Sequence, residues 1–248
     1  PVSDTISVTA LNTLAGKTAG VVTATATTGD TASFSSLATD SNDVITININ
    51  DNPSIANLNT IAGKTAGVVT ATLASTSAAD LASLNTAATD VITVPVSDTI
   101  SVTALNTLAG KTAGVVTATA TTGDTASFSS LATDSNDVIT ININDNPSVS
   151  ALNTIAGKTA GVVTATLAST AKADLVALST ASTDVITVPV SDTVSVTELN
   201  TIAGKTGGPV TATVTTGNTA SFSALATDSN DIITINISDN PSVTNLNT

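Results

Sequence analysis

The sequence predicts a repeat solenoid. In it a parallel β-sheet is built from about ten coils of ~23.5 residues, each a strand followed by a short helix or turn. Three observations predict it. Residues 1–54 and 95–148 are identical, which sets a period of 94. Leu-Asn-Thr begins at Leu11, Leu58, Leu105, Leu152, Leu199 and Leu246, every 47 residues, and Ala-Gly-Lys-Thr follows the first five. Inside that double coil, Thr23, Thr46, Thr70, Thr93, Thr117, Thr140, Thr164, Thr187, Thr211 and Thr234 fall alternately 23 and 24 residues apart, each behind a Val or Ile. Residues 1–248 therefore read as one continuous solenoid segment, with 94-residue repeats starting at 1, 95 and 189 and no capping repeat of different sequence.

The strand of each coil comes from a period of two. In Asp43-Val-Ile-Thr-Ile-Asn-Ile-Asn50, Ile45, Ile47 and Ile49 point to one face while Thr46, Asn48 and Asn50 point to the other. In the coil before it, Val22, Ala24 and Ala26 take the inward places, and Leu73, Val94, Val96 and Leu167 take them elsewhere.

The helix of each coil comes from a spacing of three. Ile55, Leu58 and Ile61 follow Ser54 and stop at Gly63; Ser195-Val-Thr-Glu198 has the form of a capping box, with Leu199, Ile202 and a stop at Gly204 behind it. Asp30 stands before Phe34 and Leu37 in the same way, and Ser77 before Leu81 and Leu84. These segments are rich in Thr, Ser and Asn, so packing must hold them as helices. Two alternatives remain. An all-β solenoid makes Thr5-Ile-Ser-Val-Thr9 a second strand. Tandem β-sandwiches fit the 94-residue period, but a sandwich does not need ten equivalent strands.

Composition excludes several kinds of chemistry. The chain has six Lys, no Arg, 18 Asp and one Glu, for a net charge of −13. It has no His, Cys, Met, Trp or Tyr, and its only aromatics are Phe34, Phe128 and Phe222. That removes His/Cys metal sites, disulfides, thiol nucleophiles and a Ser-His-Asp triad. An acidic chain without arginine or stacking aromatics is not expected to bind nucleic acid. No apolar run approaches a membrane span, and no signal peptide is visible. The repeats carry equal chemistry along their length, whereas catalysis needs one preorganised constellation, so no enzyme is expected.

The polar motifs each have a structural and a chemical reading. Gly16-Lys17-Thr18, repeated at Lys64, Lys111, Lys158 and Lys205, has the ending of a phosphate-binding loop. The first glycine of that loop is replaced by Leu11, and a strand rather than a helix follows, so no nucleotide is expected. The lysines are expected to pair with Asp40 and Asp43 in a ladder of alternating charge between coils. Asp4, Asp51, Asp98, Asp145, Asp192 and Asp239 recur every 47 residues just after a strand; Asp43, Asp90, Asp137, Asp184 and Asp231 recur just before one. Asp and Asn there shape turns and cap helices. The first column is also the candidate calcium site, since calcium takes six to eight oxygens of this kind. Asn50-Asp-Asn-Pro53 and Asn144-Asp-Asn-Pro147 resemble the Asn-Asp-Asn calcium linker of cadherins, without the acidic motifs that complete a cadherin site. The outward Thr columns resemble ice-binding solenoids. Pro95, Pro189, Asn48 and Asn142 interrupt the second column, which makes it a polar β-branched solvent face.

Alternating Thr-rich strands, Leu-Asn-Thr-x-Ala-Gly-Lys-Thr segments and Val-Ser-Asp-Thr turns resemble the repeat arrays of giant secreted or cell-surface bacterial proteins, among them cyanobacterial β-strand-repeat proteins and large adhesins. The resemblance implies an extracellular or cell-surface structural role in a filament, fibre or array, with a calcium-dependent adhesin or glycan-binding module as the alternative. The absence of cysteine fits that address. With Pro1 in place of an initiator Met, the chain reads as a processed or excised piece. Both Pro1-Val-Ser-Asp4 and Ser242 to Thr248 follow internal repeats. This predicts head-to-tail continuation by copies of the chain or further repeats.

Overall fold

A computed structural model of the chain describes residues 4–243. The strands are all parallel, and their order is that of the sequence. A short helix follows most strands, so the fold is the strand-and-helix parallel solenoid. The continuation expected at Pro1–Ser3 and through Leu246 lies outside the described residues.

The residues group into two compact units, 4–120 with 136–139, and 121–135 with 140–243. The first unit holds β1 (Thr5–Ile6), α1 (Val8–Ala15), β2 (Thr23–Ala26), α2 (Thr31–Ser35), β3 (Val44–Asn48), α3 (Ile55–Ala62), β4 (Val69–Thr72), α4 (Ala78–Leu81), β5 (Val91–Ile100), α5 (Val102–Ala109) and β6 (Val116–Ala120). The second holds α6 (Thr125–Ser129), the latter part of β7 (Val138–Asn142), α7 (Val149–Ala156), β8 (Val163–Thr166), α8 (Lys172–Leu175), β9 (Val185–Val194), α9 (Val196–Ala203), β10 (Val210–Val214), α10 (Thr219–Phe222) and β11 (Ile232–Thr234).

In both units the core lies between the inner face of the strands and the apolar side of the helices. Ile45, Ile47 and Ile49 of the β3 segment are buried, as are Val22, Ala24 and Ala26 of the β2 segment. Leu11, Leu58, Leu105, Leu152 and Leu199, the leucines of Leu-Asn-Thr, are fully buried. Each such side chain contributes about 1.5–3 kcal/mol by leaving water. Small and large inward side chains alternate from coil to coil, Ala24 and Ala26 beside Ile45 and Ile47, which lets successive layers fill space without clash. Phe34 and Phe128 fill the short helices and are also fully buried.

The helix starts fall at the expected residues. Ser54, Ser77, Asp30 and Ser195 each accept a hydrogen bond from the backbone N–H three residues on, and Glu198 closes the capping box at Ser195. This decides against the all-β alternative: Thr5–Ile6 is strand, but Ser7 caps a helix that begins at Val8. The helix stops differ in mechanism. Gly16 and Gly63 remain right-handed (φ −69° and −68°), so these glycines do not act as left-handed caps. A second difference concerns Val96-Ser-Asp-Thr99, expected as a turn. There β5 runs on to Ile100, absorbing the extra residues as a register shift between Pro95 and Thr99.

Candidate functional site

The residues with chemical potential lie where one coil meets the next. The Gly-Lys-Thr segment shows how. Lys64 follows α3, and its Nζ donates to the Ser35 carbonyl at the end of α2, 2.6 Å away. Lys158 Nζ donates to Ser129 and Leu131, Lys205 Nζ to Val176 and Leu178, and Lys111 Nζ to Ala82 and Leu84. Each ammonium thus sits on the unpaired carbonyls that end the preceding coil's helix, where a cation is favoured. The expected ladder of Lys beside Asp40 and Asp43 is not what these four lysines form. Their long stems reach past the turn to the helix end, where carbonyls offer fixed acceptors.

The threonine of the same motif is buried and turned inward. Thr65 Oγ1 accepts from Ile45 N–H (2.7 Å) and Gly67 N–H (2.8 Å), and its hydroxyl lies 2.9 Å from the Ile45 carbonyl. Thr112 does the same at Ile92 and Thr206 at Ile186. The lysine carbonyl is used as well, accepting from Thr39, Thr86, Thr133 and Thr180 at Lys64, Lys111, Lys158 and Lys205. Two residues after the threonine the chain crosses the preceding strand so closely that a Cβ on Gly67 would stand 2.4 Å from the Ile45 carbonyl oxygen. Gly114 and Gly208 are equally tight against Ile92 and Ile186. The glycine that the fold demands is therefore this one, not the glycine of Gly-Lys-Thr itself.

Both aspartate columns act between coils. Asp43, Asp90, Asp137, Asp184 and Asp231 each accept from the first N–H of the preceding strand segment, at Val22, Val69, Val116, Val163 and Val210, over 2.7–2.8 Å. The first four carboxylates are buried. In the other column Asp51, Asp98, Asp145, Asp192 and Asp239 accept from Thr31, Ala78, Thr125, Lys172 and Thr219, each the first residue of a helix in the preceding coil. A carboxylate at a helix N-terminus is favoured by the unpaired N–H groups there. Asp4 begins the described residues and has no earlier helix among them to cap. The candidate calcium residues thus stand apart on successive double coils. Among the described residues no group of three or more Asp or Glu is brought together as a metal cluster.

Sequence reasoning missed the role of asparagine. In Leu-Asn-Thr, Asn12 donates through Nδ2 to the Ser36 carbonyl and accepts at Oδ1 from Ala38 N–H. Asn59, Asn153 and Asn200 repeat this two-way bridge to the next coil. Its constancy at a 47-residue interval was the available signal.

Two carboxylates and one ion pair have distinct electrostatics. Hydrogen bonds from Ser33 to Asp30 and from Ser127 to Asp124 hold both carboxyls below the usual range. Glu198 is held low by Ser195 and then by Lys172, whose Nζ lies 3.2 Å away. In the second unit an open groove of about 960 Å³ runs between α7 and α8, lined in part by Asn146, Ser150, Asn153, Ser169 and Asp174. No helix among the described residues is long and apolar enough to cross a membrane. Comparison with protein-family models, with curated proteins and with solved structures finds no match in any of the three.

Proposed function

We propose that the protein is a structural solenoid that builds an extracellular filament, fibre or cell-surface array by lengthwise stacking of repeats, in the manner of bacterial β-strand-repeat proteins. The observation that carries this reading is the use of the repeat's polar side chains. Lys64, Thr65, Asn59 and Asp90 bond to residues 20 to 29 positions away, in the adjoining coil, and their counterparts Lys205, Thr206, Asn200 and Asp184 do the same. An array bonded only between neighbours can be lengthened by copies of the chain or by further repeats without changing any existing contact. Imaging of the native material tests it. Thin fibres with a reflection near ~4.8 Å along the fibre axis are expected; dispersed particles with no axial order would count against it.

A second reading rests on the α7–α8 groove, whose lining of Asn, Ser and Asp side chains offers polar contacts to a glycan or partner. This is the adhesin alternative, with calcium at the Asp51, Asp98 column as its cofactor. A glycan pull-down with calcium and with chelator separates the two: calcium-dependent retention supports the adhesin, and no retention leaves the structural role. The chain is proposed to have no nucleotide or nucleic-acid partner.

A further inference from the structure

Resting on the reading of the α7–α8 groove as a glycan site, we infer that its ligand is an oligosaccharide carrying free amino groups, held by the Asp174 carboxylate and the uncharged polar side chains around it. The groove is best understood beside its counterpart 94 residues earlier. Residues 1–94 and 95–188 differ only between 55 and 88 of the first and 149 and 182 of the second. Val149, Ser150, Ala171 and Ala177 stand at differing positions, and all four line the groove.

The exchanges free polar groups that the first unit keeps bonded. Ser77 Oγ donates to Asp80 Oδ2 over 2.7 Å. Its counterpart Ala171 has no hydroxyl to give, and the Asp174 carboxylate makes no hydrogen bond among the described residues. Asn52 Nδ2 donates to the Thr72 carbonyl over 2.9 Å, whereas the Asn146 side chain makes no such bond. Ser150 adds a hydroxyl where the first unit has Ala56. That hydroxyl and the one on Ser169 are likewise unpaired among the described residues. Asn146, Ser150, Ser169 and Asp174 are all exposed, and they line one groove of about 960 Å³, room for a short oligomer rather than a single ring.

The chemistry of the lining selects the ligand. Asp174 is the one ionisable residue that borders the groove, and its neighbour Lys172 is engaged by Glu198 at 3.2 Å. A chain of net charge −13 repels an anionic sugar. No aromatic side chain lines the groove, so a sugar ring finds no stacking surface there. What remains is a carboxylate that only accepts, beside an amide and two hydroxyls that both donate and accept. A ring ammonium meets the carboxylate through a charge-assisted hydrogen bond, and the ring hydroxyls meet Asn146, Ser150 and Ser169. A simple polyamine would leave those three without partners.

Calorimetric titration of the 248-residue chain with short oligomers of glucosamine, N-acetylglucosamine and glucose tests this, each with calcium and with chelator. The glucosamine oligomer should bind, with calcium making no difference, and the two uncharged oligomers should bind about tenfold more weakly or less. Because an acidic chain attracts any polycation, variants of equal charge are compared. Asp174→Asn should weaken binding about tenfold, whereas Asp80→Asn should leave it unchanged. Ala171→Ser, which returns a hydroxyl partner to Asp174 without altering charge, should also weaken it. Thermal melting confirms that each variant is folded. Equal effects of Asp174→Asn and Asp80→Asn would reduce the attraction to general charge and overturn the inference. Uncharged oligomers that bind as well as glucosamine would overturn it too, while leaving the groove a glycan site. Binding of none of the three would remove the glycan reading of the groove along with it.

Discussion

Two junctions 94 residues apart solve one packing problem in different ways. Between α4 and α5 of the first unit, Ala78 and Ala104 border an apolar hollow of about 150 Å³, with Leu81, Ile100 and Leu108. Between α8 and α9 of the second, the same two positions are Lys172 and Glu198, which form an ion pair. The exchange is accompanied by another. Ser77 caps α4 through its hydroxyl, but its counterpart Ala171 gives α8 no side-chain cap. Helix α8 has thus lost a bond within its own coil and gained one to the next. Around them Ala82, Ile100 and Leu108 also give way to Val176, Val194 and Ile202, but the bonds on the strand side are the same: Lys111 and Lys205 on the preceding helix ends, Thr112 and Thr206 in the strand, and Gly114 and Gly208 against it. The difference teaches that the fold tolerates change on the helix side and is rigidly specified where backbone meets backbone.

The strongest challenge to that division is a methyl group at the backbone crossing. Gly114→Ala and Gly208→Ala would place a Cβ 2.5 and 2.6 Å from the Ile92 and Ile186 carbonyl oxygens. The added methyl meets backbone atoms rather than the movable end of a side chain, so each should cost about 4 kcal/mol. Gly110→Ala, whose Cβ would meet only carbonyls at 3.5–3.6 Å, should be near neutral. Thermal or denaturant unfolding of the three variants measures this; equal effects at Gly110 and Gly114 would refute it.

Next in size is the buried carboxylate. Asp90 accepts from Val69 and Ala87, and Asp184 from Val163 and Ala181. Alanine at either position strands two backbone donors, at a cost of about 3 kcal/mol. The loss should be the same at both, because each carboxylate accepts from the same two backbone positions. Denaturant midpoints for Asp90→Ala and Asp184→Ala provide the check, and a loss confined to one unit would show that the helix side reaches the strands.

How much of this was legible in sequence follows the same division. The strand faces and helix starts were readable because period two, period three and residues such as Ser54 and Ser195 act locally. The Asp51 column was readable as helix-capping, but not that it caps the helix of the preceding coil. Lys64 was assigned to Asp40 and Asp43 by charge, whereas its partner is the Ser35 carbonyl, which no residue identity marks. Gly67 was passed over for Gly63 because a collision with Ile45 exists only once two coils are stacked. The asparagine bridge at Asn59 was hidden for the same reason: both of its partners are backbone atoms 24 and 26 residues away.

A smaller and opposite effect is expected from restoring the lost cap. Ala171→Ser should return to α8 the bond that Ser77 Oγ accepts from Asp80 N–H, here from Asp174 N–H. The gain should be about 1 kcal/mol. The same hydroxyl could also donate to Asp174, as Ser77 does to Asp80. Unfolding of Ala171→Ser beside Ser77→Ala should show changes of opposite sign and similar size; a neutral Ala171→Ser would mean that the Lys172 pair already holds the start of α8.

The smallest effect belongs to the ion pair itself, and it separates the two junctions by solution conditions. Lys172 and Glu198 are both about one-third exposed, so water and salt screen them, and Glu198→Ala should move the melting temperature by about 2 °C or less. Its pH dependence has a definite sign. Hydrogen bonds from Ser195, with Lys172 behind them, lower the Glu198 carboxyl below its ordinary value near 4.5, so folding favours the charged form. The contribution is therefore full above that value and is lost as pH falls through the lowered one. At neutral pH and low salt, Glu198→Ala should lower stability, whereas Ala104→Ser, at the junction without this ion pair, should show no dependence on salt. Near 1 M salt the Glu198→Ala difference should shrink toward the part contributed by the capping box, and in acid that part should weaken too, because the Ser195 hydrogen bonds favour the charged carboxyl. A difference unchanged by acid and by salt would assign Glu198 to packing and leave the two junctions alike in everything but shape.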